Sequence, residues 1–304
     1  MKASSGARAM QVQLLLAMAV WGLNFSIVKA LTNVLDVIWV ATIRMIVAVL
    51  ALSLLLWLRR RTRFEVDARQ VLGLAACGVL MVYANQILFA AGLARTSATN
   101  GALVAALSPL ISGILAAIAF RERLGRGHLV GIASGFGGVA VVVLHRPGAD
   151  VASAGLGDLL VLVSVFCFAG GGLMVQRLSR GLSALEISWS VYLFGTVLLS
   201  IHALLVAPVP VATLLHGGAW LWLLIVFSAV GATAIAGVVW NKAISHLGAA
   251  RTAMAFYWVP IFGVAFAALF LGEAVTWWHA LGLAGVILGA RLSARRGGVA
   301  EVAG

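Results

Sequence analysis

The chain has 304 residues, of which 63% are hydrophobic and only 10% charged, with a mean hydropathy of +1.10. A soluble domain carries about 25% charged residues, so this composition excludes a water-facing globular enzyme or binding module and fits an all-α integral membrane protein. The formal net charge of +12 does not point to nucleic acid, because the basic residues sit in short connections between apolar runs, where they orient a chain in a bilayer.

A helix needs about 20 mostly apolar residues to span a bilayer. Ten such runs follow one another, near 11–31, 36–58, 70–93, 97–120, 128–145, 157–177, 183–207, 218–241, 249–271 and 276–293. The first has no small-residue cleavage site and is expected to remain as a span. Trp21, Asn24, Phe25 and Lys29 share one stripe of it. In the second, Arg44 lies roughly 12 Å below the surface at about 1.5 Å per residue, where it either satisfies broken-helix carbonyls or meets a substrate carboxylate. The third places Tyr83 and Gln86 on one stripe and Asn85 on the other side. In the fourth, Asn100, Ser108 and Ser112 fall on nearly one face beside Pro109. The fifth repeats glycine at Gly127, Gly131 and Gly135, and the tenth at Gly285 and Gly289. These strips suit close helix contact within the chain or between two copies in a homodimer. The seventh offers Trp189, Tyr192 and Thr196, while Trp240, Asn241, Tyr257 and Trp258 flank Pro260 in the eighth and ninth. Aromatics and amides around one cavity suit a substrate with an apolar ring and a zwitterionic head.

Counting Lys and Arg by connection puts 17 on one side and only Arg95 and Arg146 on the other, with Lys29 and Arg44 inside spans. Ten spans with both termini cytoplasmic satisfy this bias. A duplication underlies the array. Shifted by 151 residues, Ala98 to Gly138 lies over Ala249 to Gly289 with ten identities, among them Pro109 on Pro260, Glu122 on Glu273 and His128 on His279. Two five-helix repeats, 1–152 and 153–304, follow. A five-span unit is odd-numbered, so its second copy is inverted, which puts Glu122 at the cytoplasmic surface and Glu273 at the outer one. Pro109 and Pro260 lack the N–H that would bind the carbonyls of Ala105 and Phe256. Such breaks are tolerated toward a cavity and are expected to act as hinges.

All nine acids lie in connections or at span ends, so exchange of a cation for protons has no buried carboxylate to use. His202 is the histidine within a span, where a hydrogen-bonded packing role is the expected one. Cys77 and Cys167 lie in apolar runs and form no spaced metal set. Gly155-Leu156-Gly157-Asp158 lacks the second aspartate that intramembrane proteolysis needs. No nucleophile elbow, zinc-protease motif or phosphate loop is present, so no enzyme, cofactor or direct ATP coupling is expected.

The order Ser108-Pro109, Arg121-Glu122-Arg123-Leu124 and Gly131, then Val259-Pro260, Leu271-Gly272-Glu273 and Gly282, with Gly157-Asp158-Leu159-Leu160 opening the second half, resembles the EamA-type family of the drug/metabolite transporter superfamily. The resemblance covers about Gln11 to Leu292 and looks closest to bacterial exporters of aromatic and other neutral amino acids. It implies that elements one to four of each half surround a central cavity with the fifth outside, in a bacterial inner membrane. Elements one, three, four, six, eight and nine are expected to line the cavity during alternating access. A passive channel, or a carrier of drugs or nucleotide sugars on the same fold, is the alternative. The expected substrate contacts are Trp21, Asn24, Arg44, Tyr83, Gln86, Asn100, Ser108, Trp189, Tyr192, Trp240, Tyr257 and Trp258.

Overall fold

The computed structural model describes residues 2–59, 66–120, 126–145 and 151–294. Glu122 falls outside these residues, as does the side chain of His128. Among the described residues every regular element is helical. The main helices are α1 (Lys2–Thr32), α2 (Val37–Leu58), α3 (Ala68–Arg95), α4 (Ala98–Ala119), α5 (Arg126–Leu144), α6 (Val151–Leu178), α7 (Ala184–Val206), α8 (Gly218–Leu247), α9 (Arg251–Leu271) and α10 (Trp277–Ala294). Eight of them are long and apolar enough to cross a membrane; the apolar parts of α5 and α10, Leu129–Val142 and Trp277–Gly289, are shorter. The expected set of ten spans is thus met by eight helices of bilayer length.

Polar side chains at the ends of the apolar runs fix where helices start. Asp36 accepts from the Ile38 N–H, and Ser97 accepts from the Asn100 N–H. Asp67 with Gln70, and Ser183 with Glu186, each close a reciprocal capping box. This is why several acids gather at span ends: a carboxylate there satisfies free N–H groups and the positive end of the helix dipole. Glu273 does the same across the fold, its two oxygens accepting from the Ala98 and Thr99 N–H groups at 2.8 and 2.9 Å. Helix α8 runs six residues past its expected end at Asn241, because nothing stops it until Gly248, whose φ of +83° ends the helix.

Helices α5 and α10 pack backbone to backbone. A Cβ on Gly138 would stand 2.7 Å from the Gly282 carbonyl oxygen, and one on Gly285 would stand 3.0 Å from the Gly138 Cα. The two glycine strips therefore occupy each other within one chain. A homodimer built on those strips loses its surface.

Two irregularities recur. Helix α4 breaks between Ala98–Ala105 and Ser108–Phe120, and α9 passes through a tight turn, Met254–Trp258, before Val259–Leu271. Each proline occupies the second position of the new segment, where its missing N–H leaves no intrahelical bond unmade. Helices α3 and α8 each contain a wide stretch of i→i+5 turns, Gly78–Ala84 and Phe227–Ile235. A shift of 151 residues lays the first on 229–235, within the second.

Candidate functional site

The wide turn of α8 organises the centre of the bundle. Turns of this kind leave main-chain groups offset from a regular ladder, and here the carbonyls receive side chains from three helices. Trp21 Nε1 of α1 donates to the Ala232 carbonyl at 2.7 Å, and Tyr192 Oη of α7 donates to the Thr233 carbonyl at 3.1 Å. Thr233 Oγ1 itself donates back to the Ser228 carbonyl at 2.9 Å.

Arg44 of α2 reaches the same place. It is 2% exposed. Its Nε donates to Ser228 Oγ at 2.5 Å, Nη1 to Gln86 Oε1 at 3.2 Å and Nη2 to Thr233 Oγ1 at 3.4 Å. Ser228 Oγ in turn donates to Asn24 Oδ1. Every one of these acceptors is neutral. Among the described residues no carboxylate pairs with the guanidinium, and none lines the cavity it faces. A buried cation held only by neutral oxygens, with N–H donors left over, is a strong attractor for an anion.

That cavity is walled by eight helices. Trp21, Asn24 and Phe25 come from α1, Arg44 from α2, and Met81, Asn85, Gln86 and Phe89 from α3. Ala105 and Ser108 of α4 bracket its break. Helix α6 adds Val161, Ser164, Val165 and Phe168, while Tyr192, Thr233 and Phe256 come from α7, α8 and α9. Helices α5 and α10 contribute nothing. The lining therefore includes α2 and α7 in addition to the six expected elements. Along one wall Trp21, Phe168, Trp240 and Phe256 form a four-ring cluster with centroids 5.0 to 5.9 Å apart. The arrangement is a cationic, hydrogen-bonding pole beside an aromatic wall.

A protein-family model described as the EamA-like transporter family matches residues 9–144 and again residues 155–295. The chain belongs to that family. The family is one of transporters, and the relatives that the chain resembles are named as transporters or exporters. The uncharacterized transporter YyaM of Bacillus subtilis (strain 168) is 28% identical over 187 residues, 60% of each chain, so this chain spans less than two thirds of that relative. A probable terminal-alkyne amino-acid exporter of Streptantibioticus cattleyicolor is 28% identical over 233 residues, 73% of each chain. A solved crystal structure superposes with a TM-score of 0.68 at 16% identity over 95% of this chain and 97% of the other, a likeness of fold alone.

In this EamA-like chain the cavity gathers Trp21, Asn24, Arg44, Gln86, Ser108 and Tyr192 of the expected contacts. Trp240 stands directly behind Trp21, with ring centroids 5.2 Å apart. The remaining five lie elsewhere. Tyr83 Oη pairs with His202 Nδ1 at 3.0 Å, since the wide turn over Gly78–Ala84 shifts the register and separates it from Gln86. The same shift brings Asn85 and Gln86 to the cavity together. Asn100 is buried at the start of α4, its N–H on Ser97 Oγ. Trp189 Nε1 donates to Ser53 Oγ at 2.9 Å, between α7 and α2. Tyr257 is absent from the lining, and Trp258 is 48% exposed beside Phe262. Lys29 caps the end of α3, donating to the Leu93 carbonyl at 2.8 Å. Phe168 and Phe256 line the cavity as well, and regular helical stripes in the sequence do not single them out. Phe256 carried a signal, as the residue four before Pro260, although its carbonyl accepts from the Val259 N–H; Phe168 carried none.

Proposed function

We propose that the protein exports aromatic and other neutral amino acids, or similar carboxylate-bearing metabolites, across a bacterial inner membrane by alternating access. The observation that carries this reading is Arg44, a buried guanidinium facing the cavity with neutral partners only. A substrate carboxylate supplies the missing anion, and the rings of Trp21, Phe168 and Phe256 meet its apolar side chain. The likeness to an amino-acid exporter supports the same cargo.

In this reading residues 1–152 and 153–304 are inverted five-helix repeats with both termini cytoplasmic. Matched prolines, matched wide turns and a family model that fits twice support the duplication, and the Lys and Arg bias supports the inversion. Pro109 and Pro260 act as hinges while the halves rock. In the same reading the four-ring cluster, whose Trp240 and Phe256 stand near the basic ends of α8 and α9, closes the cavity on the cytoplasmic side and parts when cargo passes. The experiment is flux of labelled phenylalanine, tryptophan, threonine and methionine into liposomes holding only this protein. Saturable, trans-stimulated flux is expected. Unsaturable flux means a channel, and failure of all four while a nucleotide sugar or a drug moves overturns the cargo.

A further inference from the structure

The cavity has one cationic pole, yet an amino acid brings a cation of its own. Three oxygens on its wall are suited to receive it. Ser108 is 1% exposed and lines the cavity, and its Oγ has no hydrogen-bond partner among the described residues. That is unusual for a serine in a helix, which normally bonds its own backbone. The other lining hydroxyls are engaged: Ser164 Oγ donates to the Val161 carbonyl at 2.6 Å, and Thr233 Oγ1 to that of Ser228.

One turn away in the same broken helix, the Ala105 carbonyl has no donor four residues on, because that residue is Pro109. It belongs to the last turn of Ala98–Ala105, where the carbonyls carry the negative end of the helix segment, and Ala105 is among the residues that line the cavity. Asn85 completes the set. Its Nδ2 is held by the Ser164 carbonyl at 2.9 Å, which fixes the amide so that Oδ1 faces outward as an acceptor, taking a long hydrogen bond from Gln86 Nε2 at 3.4 Å.

We infer that Ser108 Oγ, the Ala105 carbonyl and Asn85 Oδ1 form an ammonium-accepting subsite. Together with Arg44 it makes the cavity selective for zwitterions over plain carboxylates and plain amines. The inference rests on the proposed amino-acid cargo and adds the group that reads the amine. No charged side chain is needed, since helix carbonyls and hydroxyls coordinate cations at broken helices. The absence of a lining carboxylate among the described residues keeps the subsite too weak for an organic cation lacking its own carboxylate.

The test uses the full chain in liposomes, with labelled phenylalanine as the probe and 3-phenylpropionate, the same molecule without its amine, as competitor. Wild-type protein should require about tenfold more 3-phenylpropionate than phenylalanine for half-inhibition, the order of a hydrogen bond to a charged group. Ser108→Ala should raise the half-saturating phenylalanine concentration about tenfold and leave that of 3-phenylpropionate unchanged, while Ser108→Thr, which keeps the hydroxyl, restores it. Equal weakening of both compounds, or unchanged phenylalanine kinetics in Ser108→Ala, overturns the subsite and leaves the cargo assignment standing. No phenylalanine flux in wild-type protein overturns the cargo assignment and the subsite with it.

Discussion

Arg44 sets the electrostatics of the cavity. Taking a guanidinium out of water is costly, and three hydrogen bonds to neutral oxygens recover only part of that cost. Removing such a charge is expected to harm binding more than folding. Arg44→Gln should weaken phenylalanine at least about tenfold and should not weaken phenethylamine, a poor ligand that lacks the carboxylate. Its thermal midpoint should hold or rise, and a collapse of the midpoint without change in affinity would make Arg44 a structural residue. Arg44 stood out in the sequence because charge at bilayer depth is rare. Of its partners Gln86 stood out as well, but Ser228 and Thr233 did not, since they lie 184 and 189 residues away and look like ordinary small polar residues in an apolar run.

At the scale of elements, duplication and close packing explain most of the fold. The glycine strips of α5 and α10 make a direct test, because neighbouring glycines face different surroundings. A methyl group at Gly138 meets the backbone of α10, whereas one at Gly137 meets nothing within 4 Å. Gly138→Ala should lower stability by about 1–3 kcal/mol through overpacking, read as a fall in the unfolding midpoint in detergent. Gly137→Ala should leave the midpoint level or raise it, since alanine is the better helix former. Equal effects at both positions would refute the packing. Those strips were legible as glycines at steps of four, but not that each is the other's partner. The prolines were legible as breaks for the same reason, a missing N–H. The wide turns in α3 and α8 were not. No residue marks them, and their effect, a register shift that sends Tyr83 to His202 while Asn85 and Gln86 reach the cavity, defeats any stripe drawn at regular helical spacing.

For the whole molecule, the proposed rocking requires two halves that enter the membrane from opposite sides and enclose one cavity between their first four helices. Arg95, at the end of α3, and His246, at the end of α8, are repeat-related positions 151 residues apart, and both are exposed. Changed singly to cysteine, in a background where Cys77 and Cys167 are alanine, each becomes a reporter of its side of the bilayer. The most direct measurement is labelling of both variants in intact cells by a membrane-impermeant thiol reagent. The inverted arrangement predicts that the cysteine at position 95 reacts and that at 246 reacts only after the membrane is opened. Reaction of both from the same side would contradict it.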